Sequence, residues 1–356
     1  MRLHEGKHRQ LSGNFHHVRQ LADALLQRDD IKLRILVDKV TQPEFLKFAP
    51  PESLFPCEIS GDSIAEVERA TAHAVRAIGP DIYHRPTGQL PFRLLNCKTV
   101  AGVADLNFRV LPTPCAKRIY KELSYRWTFF IADRVSCVSH FTAGEVGRLF
   151  HVPKSKLRVV QHGANVLSSP DYQLASGIHQ PFWIVFVHQA HKNAEVCIRA
   201  LDRVRVALPR ATLALIGEGP HVDSALRPMV LKLGLAESVC FLGRVDAGTL
   251  SGLYRSAAGL LFMSRYEGFG LPVLEAMSLG CPVISSNVCS LPEVAGDAGI
   301  QLCPDDEVGL AMTMIRLEEN RAEKELLIRR GFSRASEFTW ARAAAQTVKI
   351  YRELAL

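Results

Sequence analysis

Apolar positions recur along this chain in two alternating rhythms. Short aliphatic and β-branched runs fall at LRILVD (33–38), DIYH (81–84), TVAGVA (99–104), RVSCVS (134–139) and LRVVQ (157–161). Between them, 15–27, 63–78, 116–131 and 142–150 repeat apolar residues every three or four positions. The short runs predict buried strands and the longer segments predict helices with one apolar face. Their alternation is the pattern of a parallel sheet covered by helices. The rhythm stops at 166–181, where Ser168, Ser169, Pro170, Ser176, Gly177 and Pro181 mark a linker. It then resumes, with strands predicted at 181–187, 212–217, 239–243, 259–263 and 282–286 and helices at 195–207, 222–233, 247–256, 271–279 and 307–317. The fold class is therefore α/β, with two doubly wound, Rossmann-like domains and a cleft between them as the natural ligand site. The expected boundaries are 1–165, a linker over 166–181, a second domain over 182–335, and a helix over 336–356 packing back on the first domain. One feature breaks the pattern. MRLHEGKHRQ is too polar for the buried strand that opens such a domain, so that strand is absent, atypical or lost to an altered start.

Composition sharpens this in three respects. A chain of 356 residues exceeds the size at which one core keeps growing, which agrees with two domains. Nine cysteines stand singly with no C-x-x-C pair, which excludes a disulfide framework and a zinc site of that type. No apolar run is long enough to cross a bilayer and no signal-peptide core follows the start, so a soluble, cytoplasmic protein is expected. The net charge of +7 is lopsided: residues 1–165 hold 24 Lys and Arg against 16 Asp and Glu, the rest 19 against 20. A basic first half suits a phosphate-bearing acceptor or peripheral contact with an anionic membrane at its inner face. Nucleic acid is not expected, because no aromatic-plus-basic recognition motif accompanies the charge.

The densest chemistry lies in SRYEGFGLPVLEAMSLGCPVISSNVCSLPEVAGDAG, residues 264–299. A strand runs through a turn bearing Gly268 and Gly270 into a helix that Pro272 can open. Free N–H groups at such a helix start favour a phosphate, and glycines let a diphosphate approach the backbone. Glu267 and Glu275 flank the turn. Carboxylates accept paired hydrogen bonds from vicinal hydroxyls, so the two suit a ribose at one end of a nucleotide sugar and the sugar at the other. Lys192, in HQAHKNAEV (188–196), follows the second domain's first strand and would put a compact positive charge near that diphosphate.

EGFGLPVLEAM (267–277) followed by GCPVI (280–284) resembles the donor-site signature of family 4 of the retaining glycosyltransferases, and GEGP (217–220) and FLGRV (241–245) resemble turns of that family. The resemblance implies a GT-B fold and transfer of a hexose from a nucleoside-diphosphate sugar with retained anomeric configuration, without a metal ion or other cofactor. It implies that Glu275 holds the ribose, that Glu267 sits by the transferred sugar, and that the amides of Phe269, Gly270 and Leu271 face sugar and phosphate. Gly243, Arg244 and Val245 would touch the base, and Lys192, in a K-N or K-G pair, would neutralise the leaving group. The loop before Lys192 lacks the family's usual glycine and its companion arginine, for which His188 or His191 is the substitute at hand. SGNFHHVRQLADAL (12–25) resembles the family's glycine loop, placing Gly13 beside sugar and acceptor. ADLNFRVLP (104–112) resembles a stretch of bacterial members, several of them mannosyltransferases; Ala104 replaces its histidine, leaving Asp105 for an acceptor hydroxyl. VSHFTAGEV (138–146) matches a further family segment, in which Ser139 and Thr142 are expected to cap a helix.

The expected substrates are thus GDP-mannose or a UDP-hexose and a saccharide or lipid-linked acceptor, in bacterial polysaccharide or lipopolysaccharide assembly. Two other readings share the fold: a non-catalytic protein that only binds a nucleotide sugar or partner, and a nonhydrolysing nucleotide-sugar epimerase. A nicotinamide dehydrogenase is disfavoured, since no G-x-G-x-x-G follows an early strand.

Overall fold

The computed structural model describes residues 13–39, 41–57, 64–164 and 178–355. The polar start and most of the expected linker lie outside these residues. The chain divides into two compact units, Met1–Gly163 with Thr339–Leu356, and Ala164–Phe338.

In the first unit β1 (Ile35–Val37) pairs in parallel with β2 (Leu54–Pro56), while β3 (Ile82–Arg85), β4 (Lys98–Val103), β5 (Arg134–Cys137) and β6 (Leu157–Val159) form a parallel sheet in that order. Among the described residues, β1 and β2 pair with each other and β3 to β6 form a sheet. β2 was not expected, because it is three residues long and ends on Pro56. The helices are α1 (Gly13–Leu26), α2 (Gln42–Phe45), α3 (Ile64–Ile78), α4 (Cys115–Ile131) and α5 (His140–Phe150). Ser139 caps α5, its hydroxyl accepting from the Thr142 amide at 3.0 Å, as expected. A core of Val103, Leu106, Phe108, Tyr125, Phe129, Val135 and Val146 joins the larger sheet to α4 and α5.

In the second unit β7 (Phe182–Phe186), β8 (Thr212–Ile216), β9 (Val239–Gly243), β10 (Gly259–Phe262), β11 (Val283–Ser286) and β12 (Ile300–Leu302) form one parallel sheet in the order β12-β11-β10-β7-β8-β9. β7 and β8 are covered on both faces, which is why FWIVF and TLALI read as unbroken apolar runs. The helices are α6 (Ala194–Val204), α7 (Arg227–Lys232), α8 (Ala247–Ser256), α9 (Leu271–Ser278), α10 (Leu291–Ala295), α11 (Glu307–Glu319) and α12 (Arg321–Ser336). The helix expected over 222–233 is broken. Val222–Leu226 is a π-helical turn that passes into α7 just before Pro228, which has no N–H to return to the preceding turn.

The helix expected over 336–356 is present but starts later, at Trp340. α12 ends at Ser336, and after a turn the Thr339 hydroxyl accepts from the Arg342 amide at 3.1 Å, opening α13 (Trp340–Ala355). In the first unit Ala343, Ala344, Val348 and Ile350 of α13 share a core with Leu21 and Leu25 of α1, Val100 and Val160.

Candidate functional site

Strand order fixes where a ligand can meet the second unit. Because all six strands are parallel, the loops leaving their carboxyl ends emerge on one edge of the sheet. The order of connection reverses between β7 and β10, and such a switch point opens a crevice at that edge. Lys192 stands on the loop after β7 and Glu267 on the loop after β10, on the two sides of the crevice. They meet there: Lys192 Nζ lies 2.5 Å from Glu267 Oε1. Lys192 is 9% and Glu267 13% exposed, so the pair is sheltered from water, and the ammonium also lies 4.9 Å from the centre of the Phe262 ring.

The turn after Glu267 leads into α9. Gly270 takes φ +107°, and a Cβ there would lie 2.7 Å from Leu291, so the position admits only glycine without rearrangement. Leu271 begins the helix, so Pro272 occupies its second position rather than the first. Phe269 is buried, its ring 6.1 Å from that of Phe338, and Gly268 is buried beside it. Glu275, largely buried on α9, adds its negative charge to the burial that holds the Tyr254 hydroxyl well above its ordinary pKa.

Two side chains that sequence reasoning passed over hold these loops in register. The Ser290 hydroxyl, on the loop after β11, reaches the Glu267 carbonyl at 2.9 Å and the Phe269 carbonyl at 2.8 Å, tying both ends of the turn. Asn193 adopts φ +58°, donates through Nδ2 to the Met263 and Pro304 carbonyls at 3.1 and 2.7 Å, and accepts from Arg265 at 3.0 Å. The left-handed backbone is the signal that could have found it: a position that accepts either Gly or Asn after lysine needs φ > 0.

Around this centre, Gly217 donates to the Gly243 carbonyl at 2.7 Å, and a Cβ on Gly217 would fall 2.9 Å from the His188 amide. Thus the loops carrying 188, 217 and 243 close on one another. Gly243 ends β9 with φ +64°, exposed Arg244 lies 3.6 Å from Glu218, and Val245 precedes Asp246, which caps α8. His188 and His191 do not replace the missing arginine as a cation. Burial, then the charge of Lys192, pushes His188 down to about 4 despite the opposing charge of Glu267, and the same two causes lower His191. Both shifts favour the neutral ring.

The remaining candidates belong to the first unit. Gly13 is the first residue of α1. Asp105 follows β4, and its Oδ1 accepts from the Asn107 amide at 3.0 Å, closing the turn that Asn107–Arg109 continue. Among the described residues no group of three or more His, Cys, Asp and Glu is placed to hold a metal ion.

Residues 181–320 match the family model described as Glycosyl transferases group 1, and residues 12–166 match that of Glycosyltransferase Family 4. O-antigen chain mannosyltransferase B of Escherichia coli is 31% identical over 304 residues, 80% of this chain and 78% of that protein. The O-antigen chain mannosyltransferase RfbU of Salmonella typhimurium is 25% identical over 226 residues, 64% and 62% of the two chains. Among solved structures, sucrose-phosphate synthase from Thermosynechococcus elongatus superposes with a TM-score of 0.75 at 22% identity, covering 96% of this chain and 94% of that one. The Anabaena protein HepE in complex with UDP and glucose gives 0.77 at 17% identity, covering 97% of each. The two structural likenesses extend along nearly the whole chain, and the fold is GT-B.

Proposed function

The chain belongs to glycosyltransferase family 4, and on that premise we propose that it moves a mannosyl residue from GDP-mannose, with retained anomeric configuration, to a saccharide or lipid-linked acceptor in surface polysaccharide assembly. The observation that carries the site assignment is the sheltered Lys192–Glu267 pair at the switch point, with the turn into α9 directly after it. A lysine held so close to a carboxylate is kept in place until a more highly charged anion arrives. On entry, the diphosphate takes the ammonium, and Glu267 turns its oxygens to the hydroxyls of the transferred sugar. The amides at the start of α9 face the same phosphate, and Glu275 accepts from the ribose.

In this reaction the bond from the anomeric carbon to the diphosphate breaks as the acceptor hydroxyl bonds to that carbon and passes its proton to the departing diphosphate. Negative charge grows on the leaving oxygen, so a fixed cation and oriented amides lower the barrier without a divalent metal. The mannosyl group rests on the names of the two O-antigen relatives and on the DLNF stretch 105–108.

The test is a donor panel. GDP-mannose, rather than UDP-glucose or UDP-galactose, is expected to raise the melting midpoint and to be consumed only when acceptor is present, with an α-linked product by NMR and no effect of chelator. Stabilisation by a UDP-hexose alone would move the donor assignment. Conversion of the donor without acceptor would make the protein an epimerase, and binding without turnover would make it a non-catalytic member.

A further inference from the structure

Toward β11 and β12 the carboxyl edge of the second unit's sheet is closed by bonds between loops. The Ser286 hydroxyl donates to the Ser264 carbonyl at 2.5 Å, Asn193 reaches the Pro304 carbonyl at 2.7 Å, and Arg265 pairs with Asp305 at 2.5 Å. The other direction is different. The order β10-β7-β8-β9 puts the loop after β8 one strand from the Lys192 loop and the loop after β9 two strands from it, about 5 and 10 Å along the edge. Those two loops carry Glu218 and Arg244, which stand 3.6 Å apart with side chains 61% and 60% exposed. The same side also meets α9. Tyr254 belongs to α8, the helix that follows Arg244, and its hydroxyl lies 3.4 Å from the Pro272 carbonyl, three residues before Glu275.

The backbone fixes where the acid stands. The Gly217 amide bonds to the Gly243 carbonyl, which joins the two loops at their base. At Gly243, with φ +64°, a Cβ would lie 3.0 Å from Glu218 Oε1, so the missing side chain is what lets the carboxylate rest over this turn. An ion pair this exposed adds little to stability by itself, and both charges remain open to a ligand.

Charge and spacing identify the ligand. A carboxylate beside a guanidinium presents two acceptors followed by a donor. Guanine is the complement, with its 2-amino group and N1–H as donors and O6 as acceptor. Uracil has one N–H between two carbonyls, so a carbonyl would face the carboxylate. Adenine has a bare N1 where guanine has N1–H. Either mismatch sets an acceptor against a negative charge, which rejects the wrong base.

We propose that Glu218, steadied by Arg244, selects the donor's nucleotide by accepting hydrogen bonds from the N1–H and the 2-amino group of guanine. The inference rests on the reading of this protein as a transferase that uses a GDP-sugar, and it names the side chain that makes that choice.

Isothermal titration of the whole chain with GDP, with inosine diphosphate, which lacks only the 2-amino group, and with UDP tests it. The wild type is expected to bind GDP roughly tenfold or more tightly than inosine diphosphate, the value of one hydrogen bond to a charged acceptor, and more tightly than UDP. Glu218→Ala, folded by circular dichroism and melting midpoint, should bring the ratio of GDP to inosine diphosphate affinity close to one and leave UDP binding no weaker. That ratio isolates the contact between this carboxylate and the amino group, because a general loss of affinity would move both purines together. A wild type that prefers UDP, or binds no GDP, would remove the donor assignment and this proposal together. A wild type that prefers GDP to UDP, but with a ratio near one or a ratio unchanged in Glu218→Ala, would overturn the role of Glu218 alone.

Discussion

Lys192 serves two neighbours with one ammonium, lying on the Phe262 ring and against Glu267. Its place is not its own doing, since Asn193 bends the chain into the left-handed region and is itself fastened to Met263, Pro304 and Arg265. The leaving-group assignment predicts a specific kinetic pattern. Lys192→Met keeps the aliphatic stem and removes the charge, and kcat should fall by roughly 10²-fold or more, as when one fixed donor to a developing anion is removed. Steady-state kinetics with a saturating donor would check it, and near-native kcat in a folded variant would reject the role. The neutral rings of His188 and His191 should not rescue that loss at pH 7.

Among the elements, the turn from β10 into α9 depends on a contact from another strand's loop. Ser290→Ala would leave the Glu267 and Phe269 carbonyls without this partner, a loss of about 1–3 kcal/mol for a buried group. At this unit's size that lowers the melting midpoint by about 2–4 °C per kcal/mol. If the turn grips the donor, the variant should also raise the KM for donor several-fold with little change in kcat; an unchanged KM would separate Ser290 from binding. Legibility at this scale followed local signal strength. β7 to β11 were readable as long apolar runs, whereas β12, three half-buried residues at the sheet edge, was not. α12 was missed because seven of the sixteen residues in RAEKELLIRRGFSRAS are charged. Its buried Leu327, Gly331 and Ala335 make a narrow stripe, and Gly331 packs close to Met277 of α9.

On the scale of the whole chain, the first unit is completed by its last helix, α13, and the junction is built from buried histidines. His17 lies 4.4 Å ring to ring from His162, which lies 5.5 Å from Trp340, and His84 Nδ1 is 2.7 Å from the Tyr351 hydroxyl. Burial pushes His84 down to about 3, and burial with the charge of His17 lowers His162. Because the His84 ring stays neutral when folded but takes up a proton when unfolded, its contribution to stability is complete above pH 6.5 and is lost as pH falls toward 3, and the lowered His162 acts in the same direction. Each such histidine adds about 1.4 kcal/mol per pH unit within that window. Urea unfolding from pH 6.5 to 4.5 should show this slope. His84→Asn, which keeps a polar atom near Tyr351, should make it shallower, and an identical slope would show that His84 does not contribute.

The sequence alone determined what depends on neighbours along the chain. The strand and helix rhythm follows from local periodicity, and the acids at 267 and 275, the turn glycines and the lysine before α6 all announce themselves within a few dozen residues. It could not determine what distant segments do to one another. That Lys192 closes on Glu267, 75 residues away, follows from β7 and β10 lying side by side. That Ser290 ties the turn and that α4 keeps a second apolar face in water were likewise decided by tertiary packing. Periodicity states that a face is apolar; only the folded neighbours decide whether anything covers it.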